Sequence, residues 1–269
     1  MEKSSPIGVF DSGVGGLTVV RALMERLPWE SIIYFGDTAR VPYGVKSEET
    51  IKQYAKEIAG FLLRHDVKLL VIACNTMSSV AYETVMSLSP VPVLEVIGAG
   101  ARLAISVSRN KRIGVIGTPA TISSNAYARK LFQLDSSVKV VSQACALFVP
   151  LVEEGWLDHP VTRLTAQEYL RPVLAEQIDT LILGCTHYPL LKALLKDVVG
   201  EGVALVDSAE AMAELSYEVL WEKHLAKDSF KPAIYKFFVT DLPLRFQTMA
   251  ERFLGRSIEG NLEVVRLPL

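Results

Sequence analysis

The 269-residue sequence has few cysteines, no long apolar run and no excess of charge of either sign. Its three cysteines lie far apart and none forms a Cys-x-x-Cys pair, which argues against a disulfide framework. Lys plus Arg number 28 and Asp plus Glu number 30, so the charge does not indicate binding to nucleic acid or to an anionic membrane. No apolar stretch approaches the ~20 residues that are needed to span a bilayer.

The first six residues, from Met1 to Pro6, lack the apolar core of a secretory signal. We therefore expect a cytoplasmic protein whose thiols stay reduced and available for chemistry. Hydrophobic residues make up 50% of the chain, which allows a substantial core in one large domain or in two domains of ordinary size.

Strand-like and helix-like segments alternate along the chain, as is typical of an α/β fold. Predicted strands lie at 7–10, 31–35, 69–74, 92–96, 112–117, 138–142, 180–185, 203–206, 234–239 and 262–267. Predicted helices follow most of them, including one helix from about 119 to 134 and one in the tail that ends at Gly255.

The series of strands and helices divides into two similar halves, which predicts two open-sheet α/β domains. The first domain comprises residues 1–97 plus 208–269, because the tail returns to complete it, and the second comprises residues 98–207. We place the hinge near residues 97–100. In open α/β sheets ligands bind outside the carboxyl ends of the strands, so we expect the active site in the cleft between the domains.

Two of the three cysteines end matching apolar runs. Residues 69–76 read LLVIACNT and residues 180–187 read TLILGCTH, so Cys74 and Cys185 each follow a predicted buried strand. This placement predicts a reactive sulfur on each side of one substrate. Cys145 has no such context, and we interpret it as a small buried apolar residue.

Four motifs together resemble the glutamate racemase family. They are FDSGVGGL at 10–17, PYG at 42–44, ACNT at 73–76 and GCTHYP at 184–189, in the order and spacing of that family. The resemblance implies a cofactor-independent isomerase that interconverts L- and D-glutamate and supplies D-glutamate for bacterial peptidoglycan. It also implies a homodimer, since the family commonly forms dimers, with glutamate as the small-molecule partner and no bound metal.

The resemblance also implies roles for individual residues. Cys74 takes the α-proton from D-glutamate and Cys185 takes it from L-glutamate, while Asp11 assists the first thiol and His187 the second. Glu153 is a third candidate for acid–base assistance. The substrate-binding candidates are Asp11, Ser12, Pro42, Tyr43, Gly44, Asn75, Thr76 and Thr186, with Thr118 and Thr121 at a predicted helix N-terminus as further anion contacts.

The chemistry agrees with two thiols on opposite faces of one carbon. Inversion removes a proton from one face and supplies one to the other, so one sulfur must be a thiolate while the other is a thiol. The carbanion-like state needs electrostatic help in a closed cleft. His187 lies two residues past Cys185, and an extended strand would place both side chains on the same side.

Three other functions remain open from the residues alone. The chain could be an aspartate racemase, since one methylene of the substrate is not visible in spacing, or a thiol hydrolase that uses Cys185 and His187. It could also be a non-catalytic amino-acid-binding protein. A zinc site is disfavoured because only Cys185 and His187 are closely spaced, and the glycines at 13, 15 and 16 do not fit a dinucleotide-binding motif.

Overall fold

The structure is a computed structural model that describes residues 2–228, 231–241, 243–258 and 260–267. Its strands are β1 (Ile7–Asp11), β2 (Ile32–Gly36), β3 (Leu69–Ile72), β4 (Val93–Glu95), β5 (Arg112–Gly117), β6 (Lys139–Ala144), β7 (Thr180–Gly184), β8 (Ala204–Asp207), β9 (Tyr235–Val239) and β10 (Leu262–Val264). One sheet has the order β10-β9-β2-β1-β3-β4 and the other the order β6-β5-β7-β8. All neighbouring strands are parallel. The predicted fold class is therefore confirmed.

Helices connect the strands and cover the sheets. They are α1 (Leu17–Arg26), α2 (Glu48–Leu63), α3 (Asn75–Leu88), α4 (Val96–Val107), α5 (Pro119–Ser123), α6 (Ala126–Leu134), α7 (Phe148–Glu153), α8 (Pro160–Ala175), α9 (Lys192–Val199), α10 (Ser208–Glu222) and α11 (Pro243–Leu254). Short 3₁₀ helices lie at Tyr43–Val45 and Tyr188–Leu191. Within the described ranges, no helix combines the length and apolarity that crossing a membrane requires.

The central strands are buried on both faces. Every residue of β1, β2, β3 and β7 is buried, which explains why their sequences read as continuous apolar runs rather than alternating ones. In each sheet the strand order reverses at a central strand, β1 in the first and β5 in the second. Such reversal points open a crevice at the carboxyl ends of the strands, and both cysteine motifs begin there.

Two helices carry the chain between the sheets. The first crossing occurs in α4, which includes the residues predicted as a hinge, and α10 begins at the return crossing. The predicted domain boundaries stay a prediction, although β1–β4 with β9 and β10 form one sheet and β5–β8 form the other. Residues 1, 229–230, 242, 259 and 268–269 of the predicted first domain lie outside the described residues.

Some element boundaries differ from the prediction. The helix expected from about 119 to 134 is two helices, α5 and α6, because Asn125 between them adopts the left-handed conformation with φ 55°. Strand β10 ends at Val264 rather than at residue 267. Gly255 has φ +69° directly after α11, as expected of a residue that ends a helix.

Candidate active site

A cavity of about 350 Å³ is lined by the segments that follow the strands of both sheets. Cys74 and Cys185 both line it, and so do most of the predicted site residues. The lining comprises Ser12, Gly13, Val14, Val41, Pro42, Tyr43, Gly44, Val45, Cys74, Asn75, Thr76, Thr118, Pro119, Ala146, Val149, Pro150, Glu153, Cys185, Thr186 and His187. The structure thus brings together two motifs that are more than a hundred residues apart in the sequence.

Cys74 occupies the N-cap position of α3, directly beyond the end of β3. Its sulfur accepts a hydrogen bond from the Met77 backbone N–H at 3.4 Å, and its thiol lies 3.7 Å from the Ser12 hydroxyl. Burial and the neighbouring charge of Asp11 raise the pKa of the Cys74 thiol to about 12, and the hydrogen bonds oppose this shift only in part. Cys74 is therefore a protonated thiol at neutral pH.

Cys185 lies beside a histidine–glutamate pair. Its sulfur is 4.0 Å from Nδ1 of His187, and Nε2 of His187 is 3.2 Å from Oε1 of Glu153. Burial lowers the pKa of His187, but the hydrogen bonds and charges of Cys185 and Glu153 outweigh burial and raise this pKa to about 10. The imidazole is therefore a cation at neutral pH.

The reason predicted for the contact between Cys185 and His187 is wrong. Strand β7 ends at Gly184, and His187 has a helical backbone conformation with φ −81° and ψ −30°. A tight turn, rather than an extended strand, brings the imidazole back to the sulfur. The turn allows this because Tyr188 N–H donates to the Cys185 carbonyl oxygen at 3.1 Å.

Asp11 and Thr121 lie behind the lining rather than in it. Asp11 is 1% exposed at the end of β1, and its Oδ2 accepts from the Gly13 N–H at 2.9 Å. Burial raises the pKa of Asp11, while the Gly13 hydrogen bond and the charge of His187 lower it. A direct substrate contact by Asp11 or Thr121 stays a prediction, as do the roles assigned to the other site residues.

A buried carboxylate, that of Asp37, holds the 42–44 motif in place. Asp37 accepts hydrogen bonds from the Tyr43 hydroxyl, from Arg40 Nε at 2.7 Å and from the Thr240 hydroxyl at 3.0 Å. Thr240 follows β9, so the tail supports the wall of the cavity. Asp37 lies in none of the four motifs, and its partner Thr240 is 203 residues away in the sequence, so its role could not be predicted from the sequence.

Amide and hydroxyl groups form a further part of the cavity wall. Asn75 Oδ1 accepts from the Tyr127 hydroxyl at 2.7 Å, and Thr76 Oγ1 lies 3.2 Å from Thr118 Oγ1 and 3.4 Å from Thr121 Oγ1. These contacts join α3, which follows β3, to helices that follow β5. The predicted polar contacts of the two halves therefore meet at one place.

The third cysteine has different surroundings. Cys145 is fully buried, its thiol points to the Gln143 carbonyl oxygen at 3.7 Å, and it does not line the cavity. Burial raises the pKa of its thiol. Over the part of the chain that is described, no group of three or more His, Cys, Asp and Glu side chains is arranged to hold a metal ion.

Three further residues shape the site: Gly15, which lies within the 10–17 motif, and Thr18 and Phe253, which lie outside all four motifs. Gly15 lies so close to the Cys185 turn that a Cβ there would be 2.2 Å from Thr186 Oγ1. The Thr18 hydroxyl donates to the Thr186 carbonyl oxygen at 3.0 Å. The Phe253 ring lies edge-on to His187, with ring centroids 5.3 Å apart. Their contacts with the Cys185 turn depend on the folded arrangement, which no short motif encodes.

Comparisons with known proteins point to one family. The family model for Asp/Glu/hydantoin racemases matches residues 11–216. A glutamate racemase from Syntrophus aciditrophicus is 69% identical over 264 residues, which cover 97% of this chain and 98% of that protein. The crystal structure of a glutamate racemase isoform from Bacillus anthracis has a TM-score of 0.95 at 42% identity, covering 100% of both chains. A glutamate racemase from Francisella tularensis in complex with D-glutamate has a TM-score of 0.92 at 43% identity, covering 98% of both.

Proposed function

The chain belongs to the Asp/Glu/hydantoin racemase family and, within it, to the glutamate racemases, and we propose that Cys74 and Cys185 are its two acid–base groups. The observation that supports this most strongly is that both cysteines line one cavity, each following a strand of a different sheet. A binding protein has no need of two such thiols, and a hydrolase needs only one.

The two thiols have different surroundings, which suit opposite directions of the reaction. With L-glutamate, Cys185 as thiolate removes the α-proton and the Cys74 thiol delivers a proton to the opposite face. In this step the His187 cation, whose Nδ1 is 4.0 Å from the Cys185 sulfur, lies beside the reacting group. With D-glutamate the roles reverse, and the ammonium group of the substrate favours ionisation of Cys74 against the effect of burial.

The neutral donors around the cavity suit the two carboxylates of glutamate. Within the described part of the chain, Asn75 Nδ2 has no hydrogen-bond partner, so it is available to donate to a carboxylate oxygen. The hydroxyls of Ser12, Thr76, Thr118 and Thr186 line the same space. Preorganised donors of this kind stabilise the negative charge that develops when the α-proton leaves.

Incubation of each glutamate enantiomer with the protein in heavy water tests the function. Starting from either enantiomer, we expect the opposite enantiomer to accumulate with solvent deuterium at Cα. Failure of both enantiomers to exchange would refute the proposal, and binding without exchange would instead identify an amino-acid-binding protein. Faster exchange with aspartate than with glutamate would identify an aspartate racemase.

We also propose that the enzyme works as a cytoplasmic homodimer that supplies D-glutamate for peptidoglycan. These statements follow from the family resemblance. Expression of the chain in a bacterium that requires added D-glutamate should restore growth, whereas a Cys74→Ala variant should not. Sedimentation of the purified protein at several concentrations tests the dimer, which a constant monomer mass would exclude.

A further inference from the structure

The tail helix α11 contacts the end of α7, which carries Glu153. Arg252 Nη1 donates to the Glu153 carbonyl oxygen at 2.8 Å and to the Val152 carbonyl oxygen at 3.2 Å. Helix α11 lies between β9 and β10 of the six-stranded sheet, whereas α7 follows β6 of the other sheet. The guanidinium thus joins two separate parts of the molecule, and its charge is favourable at a helix C-terminus.

The turn after α7 has room for this guanidinium only because residue 155 is glycine. Gly155 has φ +81°, a conformation that favours glycine. A Cβ at this position would lie 2.9 Å from Cζ of Arg252, closer than normal contacts allow. The same residue therefore permits both the turn and the approach of the arginine.

The next residue of α11 contacts the partner of Glu153. The Phe253 ring is 1% exposed and meets the His187 ring edge-on, at an interplanar angle of 83°. Edge-to-face packing of this kind fixes the plane of the smaller ring. Two consecutive residues of one helix thus hold both members of the His187–Glu153 pair, one through a backbone carbonyl and the other through the ring.

We propose that Arg252 and Phe253 are positioning residues for Cys185, which act by holding Glu153 and His187 at their contact distance. This inference rests on the proposed use of Cys185 as an acid–base group. The His187–Glu153 contact of 3.2 Å is at the upper end of the usual range for a hydrogen bond, so a small shift of α7 would break it. Without that contact the imidazolium beside Cys185 is less favoured.

The rate of alkylation by iodoacetamide at pH 7, measured for each cysteine by mass spectrometry, tests the proposal without reference to activity. Only the thiolate reacts, so the rate for Cys185 reports its ionisation, and Cys74 in the same molecule is the internal reference. We expect Arg252→Met to slow alkylation of Cys185 by about threefold to tenfold and to leave Cys74 unchanged. Arg252→Lys keeps a donor and should restore most of the rate.

Arg256→Met is the matched control, because the Arg256 guanidinium lies over the Tyr235 ring, 5.4 Å from its centroid, and not at α7. An unchanged Cys185 rate in a folded Arg252→Met variant would overturn the proposal, as would an equal fall at both cysteines. If that variant does not fold, Phe253→Leu is measured in the same way with the same expected loss.

Activity measurements distinguish the positioning role of Arg252 from the proposed racemase function. In a racemase, Arg252→Met should lower kcat more than it changes KM, because the cavity walls that hold glutamate remain. If the unaltered protein shows no racemisation, the proposed function is refuted, and a selective fall in Cys185 alkylation in Arg252→Met would still support the positioning role. A change in KM without a fall in kcat would contradict the positioning role.

Discussion

At the scale of single residues, the two cavity thiols differ in what surrounds them. Burial and Asp11 keep Cys74 protonated, whereas Cys185 has an imidazolium as its neighbour. In the proposed mechanism, an asymmetrical pair of thiols thus carries out a symmetrical reaction. Each direction of that mechanism needs one base and one acid, so it requires both thiols.

Replacement of single cysteines should therefore give a clear pattern. We expect Cys74→Ala and Cys185→Ala each to lower kcat by about 10²- to 10⁴-fold or more in both directions, because a positioned acid or base is lost. Cys145→Ala, a substitution of the same kind outside the cavity, should keep near-normal turnover. Polarimetry with each enantiomer measures these rates. Near-normal turnover in either of the first two variants would rule out the two-base assignment.

The protonation of His187 can be followed directly. Its pKa of about 10 lies above the ordinary value of 6.5, so the folded protein keeps a proton that the unfolded chain releases between these values. The contribution of this proton to stability is full below pH 6.5 and is lost as the pH rises towards 10. NMR titration of the histidine ring carbons should show the high midpoint.

Glu153→Gln should move that midpoint to lower pH, since it removes a negative charge that stabilises the imidazolium. Glu154→Gln, a change in the adjacent exposed residue, is the control and should leave the midpoint where it is. An unshifted His187 midpoint in the first variant would mean that Glu153 does not support the histidine.

Much of the site at this scale could be predicted from the sequence. Both thiols, His187 and the polar groups next to them lie in short motifs whose residue types carry the chemistry. Arg252 and Phe253 could not be predicted, because the arginine acts through backbone carbonyls and the phenylalanine resembles any other core residue. Their contacts with α7 and with His187 depend on where α11 lies, and no local sequence pattern encodes that position.

At the scale of elements, the glycine-containing segment that leads into α1 packs against the Cys185 turn. A Cβ on Gly15 would be 2.2 Å from Thr186 Oγ1 and 2.6 Å from His187 Nδ1. The nearest atom to a Cβ on Gly13 is a methyl group of Val41 at 3.3 Å, which can move aside. The two glycines therefore differ in how closely another part of the chain approaches them.

Gly15→Ala should cost about 1–3 kcal/mol through overpacking, and it should displace Thr186 and His187. We expect at least a tenfold loss of kcat/KM from this variant and a much smaller loss from Gly13→Ala. Thermal unfolding of both variants shows whether they remain folded at the assay temperature. Equal activity of the two variants would contradict the close approach seen at Gly15.

Glycine in this chain serves helix packing as well as turns. Gly98 and Gly100, in the predicted hinge at residues 97–100, both lie inside α4, the helix through which the chain crosses between the sheets. The Glu95 carboxylate caps this helix by accepting from the Ile97 and Gly98 N–H groups, and a Cβ on Gly98 would be 2.5 Å from it. Sequence spacing alone does not distinguish this use of glycine from a turn.

At the scale of the whole molecule, the periodic strands and helices were enough to predict two parallel sheets and a site where their strand ends meet. The relative placement of the sheets was not predictable in the same way. It depends on long-range contacts such as those of Thr18 with Thr186 and of Arg252 with α7, which join elements of different sheets. The proposed function requires both the local motifs and these long-range contacts.

A buried ion pair lies at the amino-terminal ends of the strands of the first sheet, away from the cavity. Lys68, directly before β3, is fully buried and its Nζ lies 2.5 Å from Oε2 of Glu30. Lys68 also donates to the Lys3 carbonyl oxygen at 2.6 Å, and Glu30 accepts from the Lys227 N–H at 2.8 Å. The pair therefore connects the start of the chain, the first sheet and the segment that leads into the tail.

Lys68→Met should lower the free energy of unfolding by about 3–5 kcal/mol, because it leaves a buried carboxylate without its cation. The double variant Lys68→Met with Glu30→Leu should recover a large part of that loss, since no unpaired charge remains. Urea unfolding measures both values. The ion pair and the cysteines lie at opposite ends of the strands, so kcat/KM of the folded protein should stay within about twofold of the original. A double variant less stable than Lys68→Met would show that the hydrogen bonds of these side chains to the backbone, and not their charges, stabilise this end of the sheet.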